Sequence, residues 1–387
     1  MNNSELPSKR SRLFALLGLD KLIVGWQKPN WRNRVLWPLS FLYEILIRLR
    51  GLAYQWQLRP TQSIDVPVIV VGNLTVGGTG KSPLVIALVA FFQSKGYQPG
   101  VITRGYKAQP KEDKSDKLSS AVIWPKLVEP KSNAKEVGDE AVMIYERCQV
   151  PVMVGSRRVE SAQKLATEQG CNIIISDDGF AHFSLERDID IVVVDGARGF
   201  GNQWCLPSGP LREPKDHLKR AQLLVINASQ HISSSTAGIK HPAKFTMKMK
   251  MAIAQPILGT HEHIQTSISE FKNQTVHAIA GIGNPQRFFD QLGDQGINVI
   301  PHPFADHHDF CASDLDFNDD LAVLMTHKDA VKCRLVLESR DEFAGKSAKF
   351  WSIPVDIDID DSFFAALETR LTERTAKTSA TTISTNS

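Results

Sequence analysis

The segment at residues 66–83, Val-Pro-Val-Ile-Val-Val-Gly-Asn-Leu-Thr-Val-Gly-Gly-Thr-Gly-Lys-Ser-Pro, constrains the fold of this chain more than any other. Its β-branched run, residues 68–71, is typical of a strand buried on both faces of a parallel sheet. A glycine-rich turn follows, and Pro83 stands where the first turn of a helix tolerates proline. The segment therefore predicts a strand, a loop and a helix in the order of a phosphate-binding loop, or P-loop.

The predicted loop carries the residue types that bind a nucleoside triphosphate. Glycines let backbone N–H groups approach phosphate oxygens, and the helix N-terminus adds partial positive charge. We expect Lys81 to reach the β- and γ-phosphates and the Ser82 hydroxyl to bind Mg²⁺. An ordinary glycine-rich turn is disfavoured by the strand before the loop and the amphipathic run after it. The predicted nucleotide-binding residues are Gly77, Gly78, Thr79, Gly80, Lys81, Ser82 and Pro83.

One position departs from the usual loop pattern. In G-x-x-x-x-G-K-[ST] the first glycine would fall at residue 75, which is Thr75 here. The glycine pair at 77 and 78 follows the variant G-G-x-G-K-[ST] instead.

Length and composition set the class of protein. A chain of 387 residues is long enough for two or three domains. A net charge of +3 gives no indication of non-specific nucleic-acid binding. The five cysteines include no C-x-x-C pair, which argues against a zinc site or disulfide framework and fits a reducing compartment. No cleavable signal peptide is evident, since the polar, basic start leads to only a short apolar patch.

Alternating strand and helix patterns predict an α/β protein with two domains. A doubly wound parallel sheet is expected around the P-loop, followed by a second, smaller α/β domain. Two extended segments, at 244–252 and 349–356, are expected to pair as a connector. The predicted division is 1–56 for an apolar, amphipathic membrane-associating segment, 57–240 for the P-loop domain, 241–275 for a linker with one connector strand, 276–347 for the second domain, 348–371 for the return strand and terminal helix, and 372–387 for a disordered tail.

Residues 36–54 predict an unusually apolar helix. A spanning helix needs about 20 residues with few or no charges, and Glu44, Arg48 and Arg50 interrupt this one. On a helical wheel Ser40, Glu44 and Arg48 form a narrow polar stripe, and tryptophans and basic residues lie at or before its start. That composition is typical of a helix lying in a membrane interface. The alternative is a helix buried against the main domain.

Paired carboxylates end a second apolar strand. Residues 173–175 are Ile-Ile-Ile, and Asp177 and Asp178 follow after one serine. An apolar strand ending in aspartate is the Walker B pattern, whose carboxylate holds the Mg²⁺ shell. Adjacent carboxylates in such a place are costly unless a cation, donors or water satisfy them. A metal site is therefore predicted here, with a solvated Asp-Asp-Gly turn as the alternative.

Two further polar clusters have more than one interpretation. Asp139 opens a predicted helix, and its spacing alone favours a helix cap, with Glu140 suited to the first turn. In the loop at 304–309, Asp306, His307 and His308 are adjacent, and neighbours in sequence rarely share one metal ion. A single histidine oriented by a carboxylate is the simpler functional interpretation. A solvated polar loop is the alternative.

Three residues near strand ends or loops are candidates for binding phosphate: Tyr106, Arg158 and Arg212. The carboxyl ends of parallel strands face the ligand crevice of an α/β sheet. Tyr106 and Arg158 follow short predicted strands, and Arg212 lies in the proline-rich loop Leu-Pro-Ser-Gly-Pro-Leu-Arg-Glu-Pro at 206–214. Exposed, solvated side chains are the alternative.

In order along the chain, these motifs resemble the tetraacyldisaccharide 4′-kinase family of lipid A biosynthesis. The resemblance extends from the apolar helix to about residue 356. A P-loop alone is shared by many kinases, whereas the ordered set is specific to this family. The matching pieces are Gly72-Asn73, Gly77-Gly-Thr-Gly-Lys-Ser-Pro83, Arg104-Gly-Tyr106, Gly138-Asp-Glu140, Asp177-Asp-Gly-Phe180 with His182, the loop at 206–214, Asp306-His307 and Thr326-x-Lys-Asp-Ala330.

The resemblance implies transfer of the ATP γ-phosphate to the 4′-hydroxyl of a lipid-linked glucosamine disaccharide 1-phosphate. It places the reaction at the cytoplasmic face of the inner membrane of a Gram-negative bacterium, with no nucleic acid and no obligate protein partner. It also implies two α/β domains with the active site between them. By motif, Asp139 is the expected general base, and His307 tunes it across the cleft. Lys81 and Ser82 are expected to serve the phosphates and Mg²⁺, and Asp177 and Asp178 the metal. The expected nucleotide- or substrate-binding residues are Tyr106, Glu140, Arg158 and Arg212.

Two positions depart from the family pattern. His327 stands where the family usually has glutamate, and Ala181 stands where glutamine is common. A rival function is a membrane-associated P-loop nucleotide switch or positioning ATPase, since those proteins also combine such loops with amphipathic helices. They often carry a lysine before the glycine pair, where this chain has Val76.

Overall fold

A computed structural model describes residues 25–27, 30–105, 125–228, 231–258, 265–339 and 349–385. The strands are β1 (Val68–Gly72), β2 (Pro99–Thr103), β3 (Lys126–Leu127), β4 (Val152–Val154), β5 (Ile173–Asp177), β6 (Ile189–Asp195), β7 (Leu223–Asn227), β8 (Lys244–Lys250), β9 (Ile253–Pro256), β10 (Thr266–Ser267), β11 (Thr275–Ala280), β12 (Asn298–Pro303), β13 (Val323–Thr326), β14 (Phe350–Ile353) and β15 (Asp356–Ile359). The helices are α1 (Trp31–Gln55), α2 (Lys81–Ser94), α3 (Ala134–Val137), α4 (Asp139–Cys148), α5 (Arg158–Glu168), α6 (Ser234–Ala237), α7 (Pro285–Asp294), α8 (His327–Glu338) and α9 (Asp361–Thr385).

The first sheet, as described, has nine strands in the order β15-β8-β7-β6-β1-β5-β2-β4-β3. It is parallel from β8 to β4, with antiparallel strands at both edges. Because side chains alternate along a strand, Ile69 and Val71 of β1 pack on the layer of α2, α4 and α9, whereas Val68 and Val70 pack on that of α5. The predicted α/β architecture with a buried parallel sheet is confirmed.

The second sheet within the described ranges has six strands in the order β10-β9-β14-β13-β11-β12. Its strands β14, β13, β11 and β12 are parallel. The carboxyl ends of β11, β12 and β13 therefore lie together at the carboxyl-terminal edge of the sheet. The turn at 281–285 follows β11, the loop at 304–309 follows β12, and α8 follows β13. This edge faces the first sheet, because α8 packs on α4.

Two neighbouring crossings join the sheets. The chain passes from β8 to β9 and returns from β14 to β15, and β8 pairs antiparallel with β15 as β9 does with β14. Most of the second extended segment, 349–356, therefore forms β14 of the second sheet, and only Asp356 at its end belongs to β15, the strand that pairs with β8. The segment predicted as a linker, 241–275, instead gives β8 to the first sheet and β9 and β10 to the second. Its backbone groups find their hydrogen-bond partners by extending the sheets.

The terminal helix corrects a second prediction. α9 continues to Thr385, through most of the tail predicted to be disordered. Its first turns bury Phe363 and Leu367 in the core of the first sheet. Once such a helix has been nucleated by packing, each added residue costs little, so the helix extends into the tail although Thr and Ser are weak helix formers.

Helix α1 packs with its polar stripe inward. It begins at Asn30, whose side chain accepts from the N–H groups of Arg32 and Asn33. Asn33 and Ser40 are buried, whereas the leucine and aromatic side chains opposite them are exposed to solvent; the more than half-exposed apolar residues on the helix are Trp31, Val35, Leu39, Phe41, Leu42, Leu46 and Leu49. The helix does pack on the main domain, as the alternative expected, but through its polar side, and its apolar side remains exposed. Of the helices in the described ranges, none is long and apolar enough to cross a bilayer.

Candidate active site

The predicted P-loop connects β1 to α2 at the centre of the first sheet. Gly77 and Gly80 both have φ near 93°, a left-handed conformation that side chains rarely adopt. Gly80 is the residue before the helix, so Lys81 and Ser82 lie in its first turn. The Lys81 ammonium is 3.5 Å from Oδ1 of Asp178, at the end of the neighbouring strand β5. The backbone thus has the geometry that the loop pattern predicts.

The proline-rich segment 206–214, which we call the Arg212 loop, lies alongside the P-loop. The N–H of Val76 donates to the carbonyl of Pro210 (2.8 Å), and the N–H of Arg212 donates to that of Leu74 (2.7 Å). Thr75 forms a β-bridge with Leu211. The departure at Thr75 thus has a structural reason: position 75 is extended and paired, so the tight turn that would need glycine comes later.

Arg212 clamps Asp178. Its two terminal nitrogens donate to the two carboxylate oxygens at 2.9 and 2.7 Å, and one of them also donates to Oδ1 of Asn73. Burial opposes ionisation of Asp178, but Lys81 and Arg212 outweigh it and hold the pKa of this carboxyl well below its ordinary value. Asp178 is therefore an ionised link between the P-loop and the Arg212 loop.

Asp177 has the opposite environment. It is only 1% exposed, and its Oδ1 accepts no hydrogen bond from any described residue. Burial, with the nearby carboxylates of Glu140 and Asp178, outweighs Lys81 and raises its pKa to about 7. A buried carboxylate without a partner is costly, so this site has an excess of negative charge that a cation would relieve. In the described ranges, no group of three or more His, Cys, Asp or Glu side chains could hold a metal ion without other ligands.

Arg158 does not fit its predicted role in binding phosphate. It is buried, and its guanidinium donates to the Ser176 hydroxyl (2.6 Å) and to the carbonyls of Asp177 (2.8 Å) and Asp178 (3.3 Å). Burial lowers its pKa to about 10. Its donors therefore fix the turn that carries the two aspartates, and they do not face the cleft.

Asp139 and His307 meet across the two sheets. Oδ2 of Asp139 is 2.9 Å from Nδ1 of His307. Gly138 precedes α4, so Asp139 is the first residue of the helix. Its Oδ1 accepts from the N–H of Glu140 (2.9 Å), so the side chain satisfies one free N–H of the first turn, as the cap interpretation expected. Burial opposes ionisation of Asp139, but His307 and Lys328 outweigh it and lower the pKa. The predicted carboxylate–histidine contact is present.

The neighbouring histidine turns away from this pair. Nε2 of His308 is 3.0 Å from Oδ2 of Asp314. His307 has a left-handed backbone (φ 58°), and its N–H donates to the carbonyl of Gly281. The two histidines therefore have separate carboxylate partners and do not converge on one ion.

Lys328 is a site residue that sequence analysis missed. It lies in the first turn of α8, with its ammonium 3.2 Å from Oε1 of Glu140, 3.6 Å from Oδ1 of Asp306 and 3.9 Å from Oδ2 of Asp139. Burial alone would lower its pKa, but Glu140, Asp139 and Asp306 raise it. Two features of the sequence could have indicated Lys328: it lies two residues after the end of β13, and it belongs to the matching piece Thr326-x-Lys-Asp.

A second missed cluster links α7 to the P-loop. Oδ2 of Asp195, at the end of β6, accepts from Arg287 of α7 (2.6 Å) and from Arg198 (3.2 Å). Arg198 also donates to the carbonyl of Gly78. A side chain at Gly283 would begin 3.7 Å from the N–H nitrogen of Gly78. The turn at 281–285 thus lies against the P-loop.

Two expected positions remain outside this arrangement. Tyr106 lies outside the described residues. His327, the departure from the family pattern, is buried, and its Nδ1 is 2.8 Å from the Ser352 hydroxyl. Burial, together with Arg147 and Arg334, lowers its pKa to about 3, so it is neutral at physiological pH. The structure brings together Lys81, Asp139, Glu140, Asp177, Asp178, Arg212 and His307, with Lys328 in addition.

Comparisons with known proteins indicate one family. A family model described as LpxK, tetraacyldisaccharide-1-P 4′-kinase, matches residues 32–372. The chain is 39% identical over 359 residues to the tetraacyldisaccharide 4′-kinase of Nitrosococcus oceani (92% of this chain, 96% of that protein). It is 41% identical over 341 residues to that of Stenotrophomonas maltophilia (88% and 93%).

One solved structure has a similar fold. It is the "apo" form of LpxK from Aquifex aeolicus in complex with ATP, with a TM-score of 0.71 at 24% identity over 88% of this chain and 99% of that one. At this identity the likeness supports the fold alone. Taken with the extent of the family match and the identities to the curated relatives, it leads to one conclusion: the chain belongs to the tetraacyldisaccharide 4′-kinase family, whose members transfer a phosphoryl group to a hydroxyl.

Proposed function

We propose that this chain transfers the γ-phosphate of ATP to the 4′-hydroxyl of a tetraacylated glucosamine disaccharide 1-phosphate. The observation that carries the proposal is the contact of Asp139 and His307, 2.9 Å apart, beside a P-loop group of Lys81 and Asp178. The P-loop group suits a nucleotide, and the carboxylate–histidine pair suits activation of an acceptor. A nucleotide switch uses water as its phosphoryl acceptor, so the two functions differ in which acceptor receives the phosphoryl group.

Asp139 is the proposed general base. A sugar hydroxyl has a pKa far above that of a carboxylate, so Asp139 cannot deprotonate it fully in the ground state. In a loose phosphoryl-transfer transition state the proton can move late, and positioning supplies much of the rate. His307 and Lys328 keep the carboxylate ionised at neutral pH, since both favour its charged form. Glu140 is proposed to orient Lys328 and the acceptor at this edge.

The donor side is assigned to the first sheet. The N–H groups of residues 77–82 and the Lys81 ammonium are proposed to hold the phosphates. Arg212 keeps Asp178 in place and adds positive charge beside the loop. Arg198 and Arg287 bring two more cations next to the P-loop.

Ser82 and Asp177 fit a divalent cation. Ser82 is in the first turn of α2, and Asp177 offers a buried oxygen that no described residue satisfies. When bound, Mg²⁺ neutralises charge on the transferred phosphoryl group. Asp178 is the weaker candidate, because Arg212 occupies both of its oxygens.

The assignment of the metal ligand has a direct test. Asp177→Asn is expected to raise the Mg²⁺ concentration for half-maximal activity at least about tenfold, because a neutral amide is a poorer ligand for this hard cation. The measurement is activity against Mg²⁺ at saturating ATP, with Asp178→Asn as the comparison. If only the Asp178 variant shifted the Mg²⁺ dependence, the two roles would be exchanged.

The test of the function itself is transfer of label. The protein would be incubated with γ-labelled ATP and a tetraacylated disaccharide 1-phosphate dispersed in detergent, and the lipid fraction then counted. Label in the lipid, lost when the 4′-hydroxyl is blocked, supports the proposal. ATP hydrolysis without labelled lipid would favour the nucleotide switch.

Helix α1 is proposed to lie in the cytoplasmic face of an inner membrane. Its exposed side presents Leu39, Phe41, Leu42, Leu46 and Leu49, each more than half exposed. A contiguous apolar surface of this kind on a soluble domain marks an interaction site. The substrate carries acyl chains, so a bilayer is the partner that fits.

Loss of this apolar surface should weaken membrane binding. Replacing Leu42 and Leu46 by alanine is expected to lower binding to vesicles of phosphatidylethanolamine and phosphatidylglycerol at least about tenfold, because each change removes apolar area that the bilayer would bury. Cosedimentation measures the bound fraction. The control is Leu335→Ala on α8, a leucine that is 41% exposed away from α1. Equal binding of the double variant and the control would contradict the proposal.

A further inference from the structure

Three hydrogen bonds join the inner side of α1 to the backbone of the Arg212 loop. The side-chain amide of Asn33 donates to the carbonyl of Ser208 (2.9 Å), and the N–H of Ser208 donates to the Ser40 hydroxyl (2.9 Å). One helical turn further on, the Tyr43 hydroxyl donates to the carbonyl of Arg212 (3.0 Å). The helix that carries the proposed membrane surface is therefore hydrogen-bonded to the backbone of a loop in the candidate active site.

The other side of the same loop holds the reacting groups in place. The N–H of Arg212 donates to Leu74 at the start of the P-loop, and its guanidinium clamps Asp178. Arg212 is thus held through its carbonyl by α1, through its N–H by the P-loop and through its side chain by the end of β5. A shift of this one residue would displace all three.

The surroundings of Tyr43 suit a fixed contact. Its ring packs on the buried cluster that contains Leu74 and Phe180. Burial, and to a smaller extent the charge of Glu213, raises the pKa of its hydroxyl, so it stays protonated and can donate. The contact has a neighbour: Arg50 of α1 pairs with buried Glu213, the next residue of the loop, at 3.1 Å.

We infer that α1 is a positioning element for the reaction as well as a membrane-binding helix. Through its hydroxyl, Tyr43 fixes the carbonyl of Arg212, and Arg212 in turn holds Asp178 and the P-loop in their working geometry. Tyr43 is a positioning residue, since it acts through Arg212. The inference rests on the proposed function only for its kinetic test.

The kinetic test is Tyr43→Phe, assayed with detergent-dispersed substrate so that membrane binding does not enter. We expect kcat to fall about 2- to 12-fold, the range for losing one neutral hydrogen bond, with the KM for lipid little changed. In an Arg212→Ala background the same change should have a smaller effect, because only the backbone link from residue 212 to the P-loop remains. The matched control is Tyr54→Phe on the same helix, because the Tyr54 ring stacks on Phe183 and its hydroxyl bonds no described residue.

A second measurement does not depend on catalysis. Hydrogen exchange of the Val76 and Arg212 amides, which pair the two loops, should be about 2- to 12-fold faster in Tyr43→Phe. Amides of β11 in the second sheet serve as the reference. Unchanged exchange at both amides, or effects of Tyr43→Phe and Arg212→Ala on kcat that multiply, would overturn the inference. A wild-type protein that labels no lipid but shows the exchange difference would refute the kinase proposal and leave the positioning role supported.

Discussion

Asp139→Asn is expected to lower turnover at least about 10²-fold, the usual contribution of a general base. Asparagine keeps the shape of the side chain; its oxygen can keep the bond from the N–H of Glu140, and its amide can donate to Nδ1 of His307 in the other tautomer of the ring, so the contact between the two sheets should survive. What it loses is the ability to take a proton from the acceptor hydroxyl. The rate of lipid labelling measures the effect, and ATP affinity should stay close to that of the wild type.

A matched pair in the same region serves as the control. His308 and Asp314 also form a carboxylate–histidine contact, at 3.0 Å, but they point away from the cleft. Asp314→Asn should therefore leave turnover within a few-fold of wild type. Near-normal turnover of Asp139→Asn would remove Asp139 from the role of base, and equal losses in both variants would indicate a structural effect.

Lys81→Ala is expected to lower kcat/KM for ATP at least about 10²-fold, the typical cost of removing one preorganised charge partner of the transition state. The ammonium also stabilises the ionised form of Asp178, 3.5 Å away. Its loss should therefore disturb both the phosphate site and the clamp formed by Arg212. Initial rates over a range of ATP concentrations at fixed lipid separate kcat from KM.

The control for Lys81 lies just after the other end of the same helix. Lys95 follows α2 and pairs with Glu368 at 2.8 Å, where both side chains are nearly half exposed. Lys95→Ala removes the same charge from the protein, and surface pairs of this kind contribute little. If both lysine variants kept wild-type rates, the loop would not act on the transferred phosphate.

Local patterns predicted the donor side of the site well. The strand, glycines, Lys81 and Ser82 are contiguous, so their geometry follows from backbone rules within one segment. Asp177 and Asp178 were placed near them by the general behaviour of parallel strand ends. The distinct environments of the two aspartates were not predictable, because Arg212 approaches from a distant loop.

The acceptor side could not be predicted from local patterns, because its residues are far apart in sequence and meet only in the folded protein. Asp139 and His307 are 168 residues apart in sequence, and spacing alone favoured a helix cap for Asp139. Only the family resemblance suggested the pair. For Arg158 the local pattern predicted a phosphate-binding role that the structure does not support. A basic residue after a strand can instead turn inward and donate to backbone carbonyls, as Arg158 does. The polar stripe of α1 was visible on a helical wheel, but which side faces the protein depends on the polar loop backbone that receives it.

The paired crossings between the sheets also bear on the order in which the chain can fold. β15 is an edge strand of the first sheet, and Phe363 and Leu367 fill its core, yet both follow the entire second sheet in sequence. During synthesis on a ribosome, the P-loop sheet therefore lacks β15 and α9 until both have emerged. The second sheet is already complete once β14 has been made. The second sheet is an insertion into the first, and strand pairing holds the two ends of the insertion side by side. Domain insertion is tolerated where the two ends lie close together in this way. The P-loop sheet, whose first strands are synthesised before the second sheet, is then completed after it.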